Sequence, residues 1–176
     1  IRSALEKLSK KSYQIIFSTH SPHLITSDHA SKTLIIRRNP EHGTKPIQRL
    51  SEAVVSAINN DDTRADLLFS IGNSPEFLFT ETVILAEGKT ERTLLPTLFQ
   101  KTHEKTLNLA KRGLISVGGV GDIIPAMKVL ETMGLKTKAI VDLDFVFNDG
   151  CRHNYIDPMH RSITDCKEIL NRLKDD

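Results

Sequence analysis

The sequence predicts an α/β protein with a central parallel sheet flanked by helices. Three short runs, Val83–Ala86, Leu114–Val117 and Ala139–Leu143, have the length and the apolar content of buried strands. Stretches with helical signals separate them, so strand and helix alternate along the chain. Such alternation is typical of parallel strands that are joined by crossover helices. Each run leads into acidic residues or glycines, which places polar groups at one edge of the sheet.

Length and composition fit one sizeable domain or two small ones. The 176 residues are 39% hydrophobic and 26% charged, a balance that excludes a disordered chain. No apolar run approaches the ~20 residues needed to span a bilayer, so we expect no membrane partner. The first residues form no signal peptide and lack a methionine, which indicates an excised or processed piece. Cys151 and Cys166 show no metal-ligand spacing, and we expect a cytoplasmic location.

The net charge of +2 hides an uneven distribution of charge along the chain. Residues 1–50 hold nine of the 24 Lys and Arg residues but three of the 22 Asp and Glu residues. A basic half of this kind can contact the phosphates of a nucleotide or a nucleic acid. It can equally be a solvated surface whose partner segment is missing.

Residues 1–50 are predicted to contain one helix and two strands. Ser3–Lys11 carries apolar residues at helical spacing, and Gln14–Ser18 is typical of a buried strand. Thr33–Arg37 predicts a second strand, which ends at the turn signal Asn39-Pro40. The segment Thr19-His20-Ser21-Pro22 follows the first strand directly, although a lone histidine after a strand is more often structural than functional.

Residues 51–79 are predicted to form a helical connector. Ser51 can cap a first helix, which the polar residues 59–62 end. A second helix runs from about Arg64 to Ile71, and Ser74-Pro75 opens a helical turn. The sequence contains no repeat and no flexible linker, so we expect the regions on either side of the connector to pack rigidly.

Polar and helix-breaking residues set the predicted boundaries after residue 80. Thr90 is the expected N-cap of the helix after the first strand, and Pro96 is expected to kink or interrupt that helix. Asp122 is the expected N-cap of the next helix. A final helix is predicted from Ser162 to Leu173.

Four carboxylates are predicted to gather at the carboxyl edge of the sheet. Glu87 follows the first strand and Glu91 lies in the first turn of the next helix, whereas Asp142 and Asp144 follow the third strand. Residues two apart on a strand point to the same side, so both aspartates can face one ion. Ligands bind at this edge of open parallel sheets, and clustered carboxylates repel one another unless a cation or a proton lies between them. Solvated loop acids are the alternative.

The order of these motifs resembles a Toprim domain. A glutamate follows the first strand, Gly118-Gly119 follows the second and Asp142-Leu143-Asp144 follows the third, over about residues 80–147. The strand followed by Thr19-His20-Ser21-Pro22 resembles the switch-histidine loop of ABC-type ATPases, which implies that His20 contacts the γ-phosphate of ATP. No Gly-x-x-x-x-Gly-Lys-Ser/Thr phosphate loop occurs in these residues, so the resemblance implies the C-terminal part of such a domain.

A switch-histidine loop followed directly by a Toprim domain resembles the OLD (overcoming lysogenization defect) nucleases, which include nuclease subunits of anti-phage systems. The resemblance implies three regions: an ATPase tail at 1–50, the connector at 51–79 and a C-terminally truncated Toprim domain at 80–176. It implies a DNA endonuclease that uses Mg²⁺ or Mn²⁺ and is regulated by ATP. The implied partners are DNA, further copies of the chain and a partner protein of a defence system.

The same resemblance assigns roles to individual residues. Glu87, Asp142 and Asp144 are the implied catalytic residues and metal ligands, and Glu91 is the implied further ligand. His20 is the implied nucleotide contact. Hard oxygen ligands of this kind suit Mg²⁺, which takes few protein carboxylates and fills its other positions with water and phosphate.

Two other functions are compatible with a Toprim domain. One is nucleotidyl transfer of the primase type or strand passage of the topoisomerase type, although Tyr13 and Tyr155 lack a context that supports a topoisomerase tyrosine. The other is a non-catalytic Toprim module that only binds a partner. The presence of acids at all four motif positions argues against this last function.

Overall fold

The computed structural model describes residues 1–39, 41, 43–152 and 155–172. The described helices are α1 (Arg2–Ser9), α2 (Ser27–Ala30), α3 (Leu50–Ala57), α4 (Asp61–Gly72), α5 (Lys89–His103), α6 (Val120–Thr132), α7 (Leu143–Phe147), α8 (Asp149–Arg152) and α9 (Arg161–Arg172). The described strands are β1 (Ile35–Asn39), β2 (Gly43–Ile47), β3 (Thr82–Ala86), β4 (Arg112–Ser116) and β5 (Lys136–Ile140). Short 3₁₀ turns cover Pro22–Leu24 and Pro75–Phe79.

Strands β3, β4 and β5 form a parallel sheet with β3 in the centre, in the order β4-β3-β5. The last residue of β3, Ala86, pairs with Ser116 of β4 and with Ile140 of β5. The three strands therefore end at the same level, and the segments that follow them meet at one edge. This sheet and its flanking helices confirm the predicted α/β fold of the Toprim type.

The crossover helices lie on opposite faces of the sheet. The chain moves from β3 to one neighbour through α5, and returns past β3 to the other neighbour through α6. Because crossovers are right-handed, steps in opposite directions place their helices on opposite faces. In a sheet of this order the topological switch point lies between the first and the third strand, so here it is formed by the carboxyl ends of β3 and β5.

The two faces of the sheet are covered unequally. Val83, Leu85 and Ile115 are buried in the main core together with α6 residues such as Ile123 and Leu130. Helix α5 has no buried residue, and the side chains Leu94 and Leu98 on it are more than half exposed. The predicted burial of β3 is thus complete only on the α6 side, because Ile84 remains partly accessible.

The connector helices share one core with the sheet. The contiguous cluster of buried residues includes Leu50 and Val54 of α3, Leu67 and Ile71 of α4, and Phe77 of the 3₁₀ turn. Helix α3 packs on α6, and α4 contacts both α6 and β4. Burial of apolar surface contributes about 25 cal/mol per Å² to stability. This shared core is therefore the main force that holds the connector against the sheet.

Strands β1 and β2 form an antiparallel hairpin, of which the sequence predicted only the first strand. Arg37 in β1 donates a hydrogen bond from its guanidinium group to the backbone carbonyl of Thr80, two residues before β3. Burial lowers the pKa of Arg37, whereas the nearby Glu81 opposes that shift. The hairpin is thereby tied to the start of the central strand.

The predicted buried strand at Gln14–Ser18 is wrong for this structure. The segment is extended but pairs with no described strand, and the side chains of Ile16 and Phe17 are 89% and 52% exposed. No backbone hydrogen bond to another described backbone group involves residues 14–20. A strand is stable only where a neighbour pairs with its N–H and C=O groups, and β1 is paired with β2 instead.

Three predicted helix boundaries also need correction. Helix α5 has Gly88 rather than Thr90 at its N-cap, and it runs through Pro96 without interruption to His103. Helix α6 begins at Val120 after Gly119, so Asp122 lies within its first turn instead of capping it. Both helices begin immediately after the loop glycines, because the chain turns away from the sheet as soon as the strands end.

Helix α4 follows Asn60, whose side-chain Oδ1 accepts a hydrogen bond from the Thr63 N–H at 2.9 Å. This helix is longer than predicted because the polar residues that end α3 serve as its start. Pro40, at which a turn is predicted, and Leu173, at which the last helix is predicted to end, lie outside the described residues. No helix in the described part of the chain is both long and apolar enough to cross a bilayer.

Candidate functional site

The junction of β3 and α5 presents two glutamates at the carboxyl edge of the sheet. Glu87 follows β3 directly, and its Oε2 is buried without a hydrogen-bond partner among the described residues. Glu91 turns back on the helix start, where its Oε2 accepts a hydrogen bond from the Gly88 N–H at 3.0 Å. A Cβ on Gly88 would lie 2.9 Å from that oxygen, so a side chain at position 88 would displace the Glu91 carboxylate from this contact. Glu91 is thus hydrogen-bonded, whereas one oxygen of Glu87 has no partner among the described residues.

The junction of β4 and α6 brings an aspartate to the same edge. Asp122 lies in the first turn of α6, and a Cβ on Gly118 would come within 2.8 Å of its Oδ2. The loop glycine therefore makes room for this carboxylate. The sequence predicted the glycine turn, but it assigned Asp122 only a capping role.

Asp142 and Asp144 follow β5, but they do not share a strand face. Strand β5 ends at Ile140, Asp142 is the N-cap residue of the short helix α7, and Asp144 lies in its first turn. Both side chains are exposed, and neither makes an ion pair or a side-chain hydrogen bond within the described residues. The prediction that both lie on one strand is wrong, because the chain turns into a helix two residues after β5 ends.

The four predicted carboxylates share an edge without forming a compact cluster. Across residues 1–39, 41, 43–152 and 155–172, no group of three or more His, Cys, Asp and Glu side chains is placed to hold a metal ion. The predicted convergence of Glu87, Asp142 and Asp144 is therefore not seen in this part of the chain. The acids nevertheless suit a divalent ion chemically, because they offer hard oxygen atoms, one of which is buried and unpartnered.

A cleft of about 510 Å³ opens beside the end of β4 and the start of α5. The residues that line it come from three elements: α4, the start of α5 and the β4–α6 junction. They include Asp66, Phe69, Lys89, Arg92, Gly118 and Asp122. The sequence did not predict a role for Asp66, Phe69 or Arg92. Whether a side chain of α4 or α5 faces the end of a distant strand depends on tertiary packing and leaves no signal in the local pattern.

Two carboxylates in this cleft influence each other. Burial of the Asp122 carboxyl raises its pKa above the ordinary value of 3.8, and the negative charge of Asp66 raises it further. Lys89 and Arg92 also line the cleft, but neither forms an ion pair with these acids in the described structure. The cleft therefore contains both positive and negative groups. The ionised form of Asp122 costs free energy there, because it is partly buried beside Asp66.

We expect Asp122→Asn to stabilise the fold at neutral pH and to lose this advantage in acid. Because the folded state raises the pKa of Asp122, the folded protein favours the protonated form, and stability falls as pH rises through the folded pKa. The variant does not titrate and escapes this loss. Urea denaturation at neutral pH and below pH 3.8 measures the difference. An equal effect of the substitution at both pH values would contradict the assigned cause.

His20 lies apart from the carboxylates. It is exposed at the end of the extended segment and lines a separate groove of about 1380 Å³ with residues of α1 and β1 and residues 78–81. The Ser21 N–H donates to the Thr19 hydroxyl at 2.9 Å, which turns the chain just beyond the histidine. No site residue of the carboxyl edge lines this groove.

Comparison with known proteins identifies the part of the chain that holds these acids. Residues 78–144 match the family described as overcoming lysogenization defect protein-like, TOPRIM domain. Over this range the chain resembles an OLD-like Toprim domain. The matched range begins just before β3 and ends at Asp144, so it contains Glu87, Glu91 and both aspartates.

A relative extends the similarity over nearly the whole chain. The chain is 29% identical over 175 residues to the Old nuclease of Escherichia phage P2. The alignment covers 98% of this chain but only 29% of that protein, so the chain spans less than a third of the length of this relative. The resemblance to the OLD family that the sequence motifs predicted is thereby confirmed.

Proposed function

We propose that the carboxyl edge of the sheet is the metal-dependent DNA-cleaving centre of an OLD-type endonuclease. The observation that carries this proposal is the buried, unpartnered Oε2 of Glu87 at the end of the central strand. A buried polar atom without a partner costs free energy, and a cation at this point would recover it. The location of this glutamate within the OLD-like Toprim domain, and the similarity to a nuclease, support the same function.

The proposed catalytic residues and ligands of Mg²⁺ or Mn²⁺ are Glu87, Asp142 and Asp144, with Glu91 as a further ligand. The two aspartates are free to bind, because their exposed side chains form no ion pair or hydrogen bond with any residue that the structure describes. Glu91 would exchange the Gly88 N–H for the ion, or bind through its second oxygen. Bound ions of this kind activate water and stabilise the negative charge that develops on a phosphodiester.

The chain itself contributes position and local environment. The parallel register brings the ends of β3, β4 and β5 to one level, so acids from separate segments reach the same edge. Gly88 and Gly118 leave space where a Cβ would collide with a carboxylate. Burial of the Glu87 Oε2 takes this oxygen out of water. The carboxylate therefore gains more from a bound cation than a fully hydrated carboxylate would.

We propose further that residues 1–50 are the tail of an ABC-type ATPase domain, that 51–79 is the connector and that 80–176 is the Toprim domain. The extended segment Gln14–Ser18 supports this division, because its exposed apolar side chains and unpaired backbone suit a strand of a larger sheet. His20 at its end would contact the γ-phosphate of ATP, which would regulate cleavage in the intact protein. Further copies of the chain and a partner protein in anti-phage defence, in the cytoplasm, complete this proposal.

Plasmid nicking by the intact protein tests the proposed reaction. Supercoiled DNA should be converted to the open circular form in Mg²⁺ or Mn²⁺ and should stay supercoiled in EDTA. Incorporation of nucleotides on a primed template, without nicking, would instead indicate nucleotidyl transfer. Binding of DNA without either reaction would indicate a non-catalytic Toprim module and would overturn the proposal.

A further inference from the structure

Phe69 is an exposed aromatic residue in an otherwise polar cleft. Its side chain is 73% exposed, although the neighbouring α4 residues Leu67 and Ile71 are fully buried. It lines the 510 Å³ cleft beside the end of β4 and the start of α5. An exposed phenylalanine is no sign of a site by itself, since single apolar residues are common on surfaces. Its position beside unpaired cations makes it informative.

Two cations face the same cleft without partners. Lys89 and Arg92, on the first turn of α5, are exposed and form no ion pair or side-chain hydrogen bond with any described residue. They lie two and five residues after Glu87 in the sequence, so the start of α5 joins the cleft to the strand end that carries this glutamate. Cations that are held at a cleft without an internal partner are suited to bind an external anion.

An aromatic face next to free cations is the arrangement with which proteins bind single-stranded nucleic acids. Bases stack on the aromatic ring, and the cations contact the phosphates that link them. A paired duplex cannot offer this contact, because its bases are already stacked on each other. The acids Asp66 and Asp122 exclude the phosphates from their part of the cleft and so favour a position near α5.

We propose that this cleft binds an unpaired segment of the nucleic-acid substrate, with one base stacked on Phe69 and adjacent phosphates contacted by Lys89 and Arg92. The inference rests on the proposed function and extends it, because it places a single strand beside the carboxylates that would cleave it. It makes Phe69 a specificity-determining residue for single-stranded or locally unpaired DNA. Lys89 and Arg92 are positioning residues for the strand.

Binding of short single strands in EDTA tests the inference without any dependence on the metal. The probe is a fluorescein-labelled oligothymidylate, and its anisotropy is followed in the intact protein. Phe69→Ala should weaken binding by about 5- to 150-fold, the range measured for the loss of one base-stacking contact. Leu109→Ala removes another exposed apolar side chain, outside the cleft, and should leave the affinity unchanged.

Salt dependence separates the phosphate contacts from the stacking contact. The slope of log K against log salt concentration falls by about 0.7 for each phosphate contact that a single strand loses. Lys89→Gln combined with Arg92→Gln should therefore reduce the slope by about 1.4. Lys101→Gln, in the last turn of α5, is the matched control and should keep the parental slope. Asp66→Asn should tighten binding, because it removes a negative charge from the cleft.

A tryptophan at position 69 reports the stacking directly. These 176 residues contain no tryptophan, so in this chain Phe69→Trp introduces the single source of indole fluorescence. Oligothymidylate should quench this fluorescence, whereas an abasic strand of equal length should bind more weakly and leave it unquenched. Equal quenching by the abasic strand, or tighter binding of a blunt duplex than of the single strand, would overturn the inference.

The test also distinguishes the inference from the proposed reaction. Metal-dependent nicking by the parent, together with equal single-strand affinities for Phe69→Ala and Leu109→Ala, would contradict the strand-binding cleft and leave the proposed nuclease reaction supported. Binding that depends on Phe69 in a protein that never nicks DNA would support the cleft and remove the nuclease. Circular dichroism of Phe69→Ala should match the parent, because the side chain contributes little to the core.

Discussion

Asp142→Asn should lower the rate of metal-dependent DNA nicking by at least about 100-fold. A divalent ion contributes several kcal/mol to transition-state stabilisation, and each 1.36 kcal/mol corresponds to a factor of ten in rate. The substitution removes a full ligand charge from the proposed metal edge. It should leave the metal-free fold intact, since the Asp142 side chain is exposed and makes no capping hydrogen bond. Plasmid nicking at saturating Mg²⁺ measures the effect.

Glu104→Gln is the matched control for this experiment. Glu104 follows the last residue of α5, which at 1.5 Å per residue is about 22 Å from the carboxyl edge where that helix begins. The control should nick DNA at the parental rate. A rate for Asp142→Asn within a factor of two of the control would show that Asp142 has no part in the reaction.

Phe77→Ala should destabilise the fold by about 3–5 kcal/mol, the usual cost of removing a buried phenylalanine ring. Phe77 is fully buried in the 3₁₀ turn that joins the connector to β3. A Cβ on Gly113 of β4 would lie 3.5 Å from the Phe77 Cα, so the turn packs directly on the sheet. This cost is a large part of the free energy of unfolding of a typical domain, which is about 5–15 kcal/mol.

Phe69→Ala provides the comparison for Phe77→Ala, because it removes the same ring from an exposed position. Its cost should stay within about 0.5 kcal/mol, the usual range for surface substitutions. Urea denaturation of both variants measures the two costs side by side. Similar costs for both would mean that the connector does not share the core of the sheet.

The central strands could be predicted because their signals are local. The apolar run Val83–Ala86 is bounded by polar residues, and β3 occupies Thr82–Ala86. The glycines that follow β4 likewise predicted the turn into α6. The pattern of strand, polar turn and helix depends on neighbours in the sequence, so it survives without knowledge of the tertiary structure.

Features that depend on distant partners could not be predicted. Gln14–Ser18 has the pattern of a strand, but a strand requires a neighbour, and the described structure supplies none. Strand β2 lacks an apolar run and forms because β1 pairs with it. In each case the hydrogen-bond partner, rather than the local pattern, decides the conformation.

The candidate site also has parts that local sequence signals predict and parts that depend on distant partners. The glutamate and glycine motifs predicted the edge of the sheet that these residues reach, but the i and i+2 spacing of Asp142 and Asp144 predicted a strand where the structure has a helix start. Phe69 and Asp66 reach the cleft from α4, which is separated from β3 by the 3₁₀ turn. Only the packing of α4 on α6 and β4 brings them there.

The central claim is that the carboxyl edge binds a divalent ion through Glu87, Asp142 and Asp144. Thermal denaturation at increasing Mg²⁺ or Mn²⁺ tests it most directly, because an ion that binds only the folded state stabilises it by mass action. At free metal of about 100 times the dissociation constant, the gain should be about 2.7 kcal/mol. The gain should grow with pH, since protons compete with the metal for the carboxylates.

The decisive measurement compares the metal-induced rise in melting temperature of three proteins. The parent and Glu104→Gln should show the same rise, and Asp142→Asn should lose most of it. Equal rises in all three proteins would contradict the account, because the acids of the carboxyl edge would then be ordinary surface charges.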